Sequence, residues 1–547
     1  MAFCLLPPVP ITSFITKHTK ATNLHNSAVL RAPRFIAAIA DDSDQNVAIR
    51  RSANYHPSIW QYDYIQSLKN NYQEESFKEQ ATRLVGEVRM MLEKEMEPLE
   101  KLELIDTLQR LGLSYHFQNE TKKILEGIWS DPRKKDNLYA TALEFRLLRQ
   151  HGYKITQEAF SIFQDEMGNF NASLCEDGKG LLSLYEASFL SVEEEGILDT
   201  ARAFAAQHLQ QQKLDEHLRM LVEHALELPL HWKMSRLEAR WFIDLYEKRK
   251  EKNPILLELA KLDFNIVQAV HQDDIRYSSK WWMDTGLGEK LSFARDRLME
   301  HCLWTMGYIF DPQCGNIRRS LTKVHALITA IDDVYDVYGT LDELELFTQA
   351  VDRWDVNAMQ LLPQYLQICF LALFNSVNEM AYDNLKEHGF HTLDFLKKAV
   401  PSPVILSHAC SLTLNSTTKD CFELWKEHSN MIYYSSLIFR LANDLETSVD
   451  ELKRGDVPKS IQCYMHETGS SEAEAREYLR KSIDATWKRM NREYLSMAHS
   501  TSSPMFIQIA FSMARMAQCM YQYGDGHGVA DQETKHRVKL LLVSSIP

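Results

Sequence analysis

Three aspartates, Asp332, Asp333 and Asp336, stand together in the stretch LTKVHALITAIDDVYDVYG. No proline falls between Pro312 and Pro363, and Gly339 offers a place for a helix to stop. The stretch therefore reads as one helix that carries Asp332 and Asp336 one turn apart on one face. Hard carboxylate oxygens at i and i+4, with Asp333 alongside, suit Mg2+, which is typically held by one or two carboxylates plus substrate phosphates. Alone the pattern decides little, because three fixed aspartates arise by chance in roughly one such chain in ten. A second constellation adds weight. In FRLANDLETSVDELKRGDVPKS, Asn443, Thr447 and Glu451 are spaced i, i+4, i+8 and form a column of oxygens on one helical face. Arg440 lies just before the column and Lys459 just after it, while Gly455 and Pro458 end the helix. Cations beside oxygen ligands suit a diphosphate. Taken singly, each segment also reads as a solvated acidic helix end or a face of surface polars.

The elements that must position these groups are helices. Apolar residues past Trp60 recur at three and four, as in Leu321, Val324, Ile328, Ile331 and Tyr335, and alternating strand patterns do not accumulate. The fold class is therefore all-α, in compact helical bundles. At 547 residues, 45% hydrophobic and 25% charged, the chain is expected to form two or more globular domains. The charged run Glu251-Lys252-Asn253-Pro254 marks a boundary, giving domains over 50–253 and 254–547. The first forty residues contain no Asp or Glu but four basic residues (Lys17, Lys20, Arg31, Arg34) and six hydroxyls, so 1–49 reads as an organelle transit peptide and tail. Nine scattered cysteines without a C-x-x-C pair argue against a disulfide scaffold or zinc ribbon. A formal charge of −14 argues against nucleic acid as a partner, and no run of eighteen apolar residues spans a membrane.

DDVYD (Asp332 to Asp336) followed by NDLETSVDE (Asn443 to Glu451) resembles the paired metal motifs of plant class I terpene synthases. FARDR supplies Arg295 and Arg297, which resemble the family's arginine pair upstream of the aspartates, and WTMGYIFDP follows as in relatives. Arg50, Arg51 and Trp60 match the Arg-Arg, eight residues, Trp segment of the angiosperm monoterpene synthase branch, and GDG (Gly524 to Gly526) resembles the C-terminal lid. The resemblance implies a carbon–oxygen lyase: an N-terminal helical domain without class I chemistry, and a C-terminal barrel that ionises a prenyl diphosphate. Asp332, Asp333 and Asp336 on one side and Asn443, Thr447 and Glu451 on the other would hold three Mg2+ ions, with Mn2+ as a substitute. Arg295, Arg440 and Lys459 would meet the diphosphate beside Asp332, Asp336 and Asn443, and Arg297 is carried over as catalytic with Arg295. Trp304 would offer a π face to the cation, Tyr521 and Asp525 a late proton-handling pair, and Arg50, Arg51 and Trp60 a lid. No Asp-x-Asp-Asp acid occurs; the nearest run, His271-Gln272-Asp273-Asp274, begins with His, so protonation-initiated cyclisation is not expected.

Geranyl diphosphate is the favoured substrate, on the Arg-Arg-Trp segment and the transit-like leader together, which also imply the plastid stroma. The same fold using dimethylallyl or farnesyl diphosphate is the alternative, and a monomer or weak homodimer is expected. One departure stands out. Relatives continue from FLKKA through a Trp- and Tyr-rich helix before reaching a Gly-Pro-Val-Ile helix, whereas here FLKKAV runs straight into PSPVILSHAC. About thirty to forty residues are absent, enough for some 45 to 60 Å of helix at 1.5 Å per residue, which makes an impaired or inactive variant a further reading.

Overall fold

The computed structural model describes residues 50–547 except 132–136, 390, 400–405, 407–425, 455–457, 498–503 and 529–530. The transit-like leader and the junction near Val400 lie outside the described residues. Among those described, helices are the regular elements throughout, with one isolated bridge between Gln164 and Phe170. No described helix is long and apolar enough to cross a membrane.

The longest helix, Pro254–Thr285, starts where the side chain of Asn253 accepts from the amides of Ile255 and Leu256, with Pro254 in its first turn. It ends at Gly286, whose φ of +67° is the left-handed turn a glycine makes without penalty. Seventeen of its residues are buried, because partners cover it on several sides. Buried polar side chains along it grip the C-terminal tail: Asn265 donates to Ile546 O at 2.8 Å, and Gln272 to Leu542 O at 3.0 Å. Arg236, from the preceding helix Ser235–Glu247, reaches Asp263 on it.

One large apolar core runs through both halves of the chain and contains Trp60, Leu84, Phe242, Trp304, Phe370 and Trp487. A second, around Phe145, Phe160, Leu181 and Leu198, belongs to the N-terminal half alone. Asn491 joins that half to the C-terminal one, its Nδ2 donating to the carbonyls of Phe189 and Ser191 and its Oδ1 accepting from His231 Nε2 at 2.8 Å. Five helices matter most for the site. Leu298–Tyr308 packs between Gly315–Asp333 and Pro504–Met520, and Ser429–Arg454 packs on Pro504–Met520 and Glu472–Met497. The helix expected to carry the aspartates runs from Gly315 to Asp333 and then widens into a π turn, Val334–Tyr338, closed by Gly339 N bonding to Val334 O at 2.7 Å. Gly339 is extended, with φ −70°, rather than a left-handed cap. Its small size is needed because a Cβ there would sit 2.6 Å from Leu344 and 2.9 Å from Val334 O.

Candidate active site

The two oxygen-bearing segments face one cavity of about 270 Å3. Asp332 and Asp336 line it from one wall, and Asn443, Thr447 and Glu451 from the other, with Arg295, Arg440 and Lys459 beside them. Thr447 also bonds back to Asn443 O at 3.0 Å, which holds the column in register. Asp333 does not join the lining. It is 1% exposed and turned onto Arg295, accepting from its backbone N at 2.7 Å and its Nε at 3.0 Å and pairing with its Nη2 at 2.7 Å. The expectation of Asp333 as a supporting ligand is thus redirected: in this geometry it orients Arg295. Burial opposes the Arg295 charge, but Asp333 and Asp332 outweigh it and hold the guanidinium firmly protonated. Arg295 also lies over the Tyr55 ring, 5.0 Å from its centroid.

On the opposite wall, Asp444 was not singled out by the sequence reading. It is fully buried, accepts from Ser460 N and Oγ at 3.0 and 2.5 Å, and pairs with Arg440 Nε at 3.0 Å. It therefore fixes both Arg440 and the start of the helix after Lys459. Burial raises the Glu451 carboxyl, against the pull of Lys459 3.5 Å away.

Among the described residues, no three His, Cys, Asp or Glu side chains converge closely enough to hold a metal unaided. The donor set is instead split across the cavity, two carboxylates against one carboxylate, an amide and a hydroxyl. Glu451 Oε2 is buried without a hydrogen bond. Such a set fits hard divalent cations whose remaining positions are filled by phosphate oxygens.

Aromatic rings line the same cavity. Trp304, 1% exposed, lines it with ring centroids 5.1 Å from Phe439, 6.0 Å from His325 and 6.2 Å from both Tyr521 and His527. Burial, with Asp525 nearby, raises the Tyr521 phenol, so it stays protonated. Asp525 lines the cavity too, but its Oδ1 accepts from the amides of Gly528 at 2.7 Å and His527 at 3.3 Å, shaping the C-terminal loop. His325, Thr329, Phe439 and His527 were missed in the sequence. His325, Thr329, Asp332 and Asp336 are spaced i, i+4, i+7, i+11, a single helical face that was legible as a pattern.

The lid residues separate into those that cover the cavity and those that fasten the cover. Ala53, Asn54, Tyr55 and His56 line it. Arg50 instead makes a two-pronged pair with Glu343 at 2.5 and 2.7 Å, donates to Tyr338 O, and lies over the Tyr338 ring at 4.7 Å. This contact lowers the Glu343 carboxyl to about 2. Arg51 donates to the backbone carbonyl of Asp336 at 2.5 Å. Trp60 is buried in the core, stacked on Tyr64, and is not among the residues that line the cavity. Arg297, expected to act with Arg295, is 1% exposed and also outside the lining. It donates to His56 O at 3.0 Å and Gly528 O at 3.1 Å, joining the N-terminal segment to the C-terminal loop.

The terpene synthase N-terminal domain matches residues 59–226, and the terpene synthase metal-binding domain matches 283–402 and 396–489. The chain is 53% identical to (−)-alpha-terpineol synthase of Vitis vinifera over 100% of this chain and 99% of that one, and 55% identical to chloroplastic myrcene synthase of Quercus ilex over 91% and 90%. A crystal structure of limonene synthase with 2-fluorolinalyl diphosphate superposes with a TM-score of 0.88 at 42% identity, covering 91% of this chain and 100% of that one. Isoprene synthase from grey poplar, with three Mg2+ ions and dimethylallyl-S-thiolodiphosphate, superposes at 0.82 and 43% identity, covering 90% and 99%. The terpineol synthase alignment extends over 590 positions while taking in all 547 residues, so at least 590 − 547 = 43 positions face no residue here. The metal-binding match breaks into its two pieces at the FLKKAV–PSPVIL junction. With both domains matched and full-length relatives above half identity, the chain belongs to the terpene synthase family.

Proposed function

We propose that this protein ionises geranyl diphosphate with Mg2+, releasing diphosphate and forming a monoterpene. One observation carries the reading: a single cavity places the ligand oxygens and cations beside aromatic rings. Its size, about 270 Å3, lies just below the range typical of ligand pockets, about 300–1,000 Å3. That favours a short prenyl chain over the farnesyl one. The named products of relatives, terpineol and myrcene, agree.

Asp332 and Asp336 would hold metal from one wall and Asn443, Thr447 and Glu451 from the other, three ions in all, as in the isoprene synthase complex. When bound, the ions supply Lewis-acid neutralisation of the departing diphosphate. Arg295, Arg440 and Lys459 add fixed positive charge at the same end, and their buried partners hold them in place before the charge develops. Trp304 presents its π face to the allylic cation. The segment 53–56 and the loop 525–528 exclude water, joined by Arg297. Residues 50–253 serve as the helical N-terminal domain and 254–547 as the catalytic one. Relatives named chloroplastic support import into the plastid, with the stroma as the working compartment.

The test is incubation of the full chain, and of the chain lacking residues 1–49, with Mg2+ and geranyl, dimethylallyl or farnesyl diphosphate, followed by gas chromatography of the volatiles. Turnover of geranyl diphosphate above the other two is expected. Preference for either of the others overturns the substrate, and Mg2+-independent turnover overturns the mechanism. The 43 uncovered positions favour a second reading, the same ionisation with weak or water-quenched output.

A further inference from the structure

His325 projects from the same helical face as Asp332, seven residues earlier. At 1.5 Å per residue that is about 10 Å deeper along the helix, away from the diphosphate end and alongside the hydrocarbon tail. The residue lines the cavity, is 4% exposed, and its Nε2 is buried without a hydrogen-bond partner among the described residues. Leaving a buried ring nitrogen unpaired costs stability, so a native structure that keeps one has a use for it or lacks its partner only until substrate arrives. The groups around it are the rings of Trp304, Tyr308 and His301, on the helix Leu298–Tyr308, with centroids 6.0, 5.5 and 5.9 Å away. His527 completes the wall from the C-terminal loop, but its Nε2 already meets Thr329 Oγ1 at 3.4 Å, and it lies in the field of Arg295 and Arg297.

We propose that His325 Nε2 is the proton acceptor that ends the reaction, a role that rests on the carbocation chemistry proposed above. The carbon next to the cationic centre loses its proton to Nε2; the C–H electron pair becomes the new C=C bond, and the ring becomes an imidazolium. The proton leaves to solvent when the cover opens. Burial lowers the ring's pKa to about 3, so it is uncharged at neutral pH, and the role requires the tautomer that keeps the lone pair on Nε2. A weak base suffices, since a C–H beside a cationic carbon is strongly acidic.

The experiment compares the full chain with His325→Ala, His325→Gln and His325→Phe. It measures the parent's main olefin formed per diphosphate released, with melting temperature as the folding control. His325→Ala and His325→Gln are expected to lower that ratio about a hundredfold or more, the low end of what a positioned base contributes, and isomeric olefins or alcohols rise. His325→Phe, which keeps the bulk without the lone pair, is expected to fall equally. A Phe variant that matches the parent overturns the proposal, because shape alone would then explain the residue. A parent chain that releases no diphosphate refutes the functional reading instead. In that case 15N NMR of histidine-labelled protein still decides His325: a neutral ring bare at Nε2 supports the role, and a proton on Nε2 at neutral pH overturns it.

Discussion

Replacing Arg297 separates two roles that the sequence could not tell apart. The side chain is 1% exposed and spends its donors on the carbonyls of His56, Gly528 and Asp296 at 3.0, 3.1 and 2.9 Å. Hydrogen bonds from a charged donor are worth about 1.5–3 kcal/mol each. Losing the two that bridge the segments should favour the open state by about 3 kcal/mol or more, roughly a hundredfold at 1.4 kcal/mol per decade. Arg297→Ala should therefore expose residues 53–58 and 524–528 together in hydrogen exchange, while helices such as Leu298–Tyr308 keep their protection. Turnover should fall, and the remaining product should shift toward water-captured alcohol as solvent enters. Arg297→Lys should rescue in part, because both bridging bonds leave the one nitrogen Nη2, whose donor count a shorter ammonium can match but whose position and planar geometry it cannot. Normal exchange in both segments alongside lost turnover would refute the clasp and return Arg297 to direct contact with the diphosphate.

Asp332→Ala and Glu451→Ala should each lower turnover by orders of magnitude with helicity by circular dichroism unchanged, since both line the cavity rather than the core. Glu343→Gln should loosen the Arg50 end of the cover by about 1 kcal/mol, the modest value of a partly exposed pair, read as faster proteolysis near residue 50. Acid should unfold the protein early. His231, His325 and His151 are lowered by burial to about 3, 3 and 4. A lowered histidine contributes fully above its unfolded value near 6.5 and loses that contribution as pH falls toward the folded value, so at pH 5 each should cost about 2 kcal/mol. A melting temperature that is flat from pH 7 to 5 would contradict this. Inserting a relative's segment after Ala399 should raise both melting temperature and cyclic product, checked by calorimetry and gas chromatography.

Much of the site could be read from spacing because it sits on helices, where i, i+4 and i+8 share a face whatever the tertiary contacts. Asn443, Thr447 and Glu451 line the cavity for that reason. Asp333 shows the limit. Consecutive helical residues point about 100° apart, so only one of Asp332 and Asp333 can face the cavity directly, and a composition rule cannot choose between them. Here Arg295 captures Asp333. The arginine pair fails differently: residues 295–297 are not helical, so side chains two apart need not share the face that helical spacing would give them. Arg295 enters the cavity while Arg297 bridges the covering segments behind it. His325 and Thr329 share the helical face of Asp332 and Asp336, a pattern present in the sequence, but only the fold shows that this face lines the cavity.

The contacts that close the cover are made on the ligand machinery itself. Arg51 bonds the carbonyl of Asp336, Arg50 pairs with Glu343 just beyond the π turn, and Tyr55 stacks under Arg295, which Asp333 holds. A π turn is a local loosening of the helix, so Val334–Tyr338 would be free to shift if Asp336 takes up the cation proposed for it. Any such shift moves the carbonyl that Arg51 holds and the ring on which Arg50 lies. Ligand binding at Asp336 and closure of residues 50–56 therefore draw on the same few hydrogen bonds. By linkage, whatever favours one favours the other by the same factor. The cover should tighten as the ions and diphosphate bind, before the carbon–oxygen bond breaks, which is when exclusion of water begins to matter. Arg51→Ala should then weaken Mg2+ activation, seen as a higher half-saturating concentration, although Arg51 is not among the residues that line the cavity. An unchanged Mg2+ dependence in that variant would show that closure and ligation are independent.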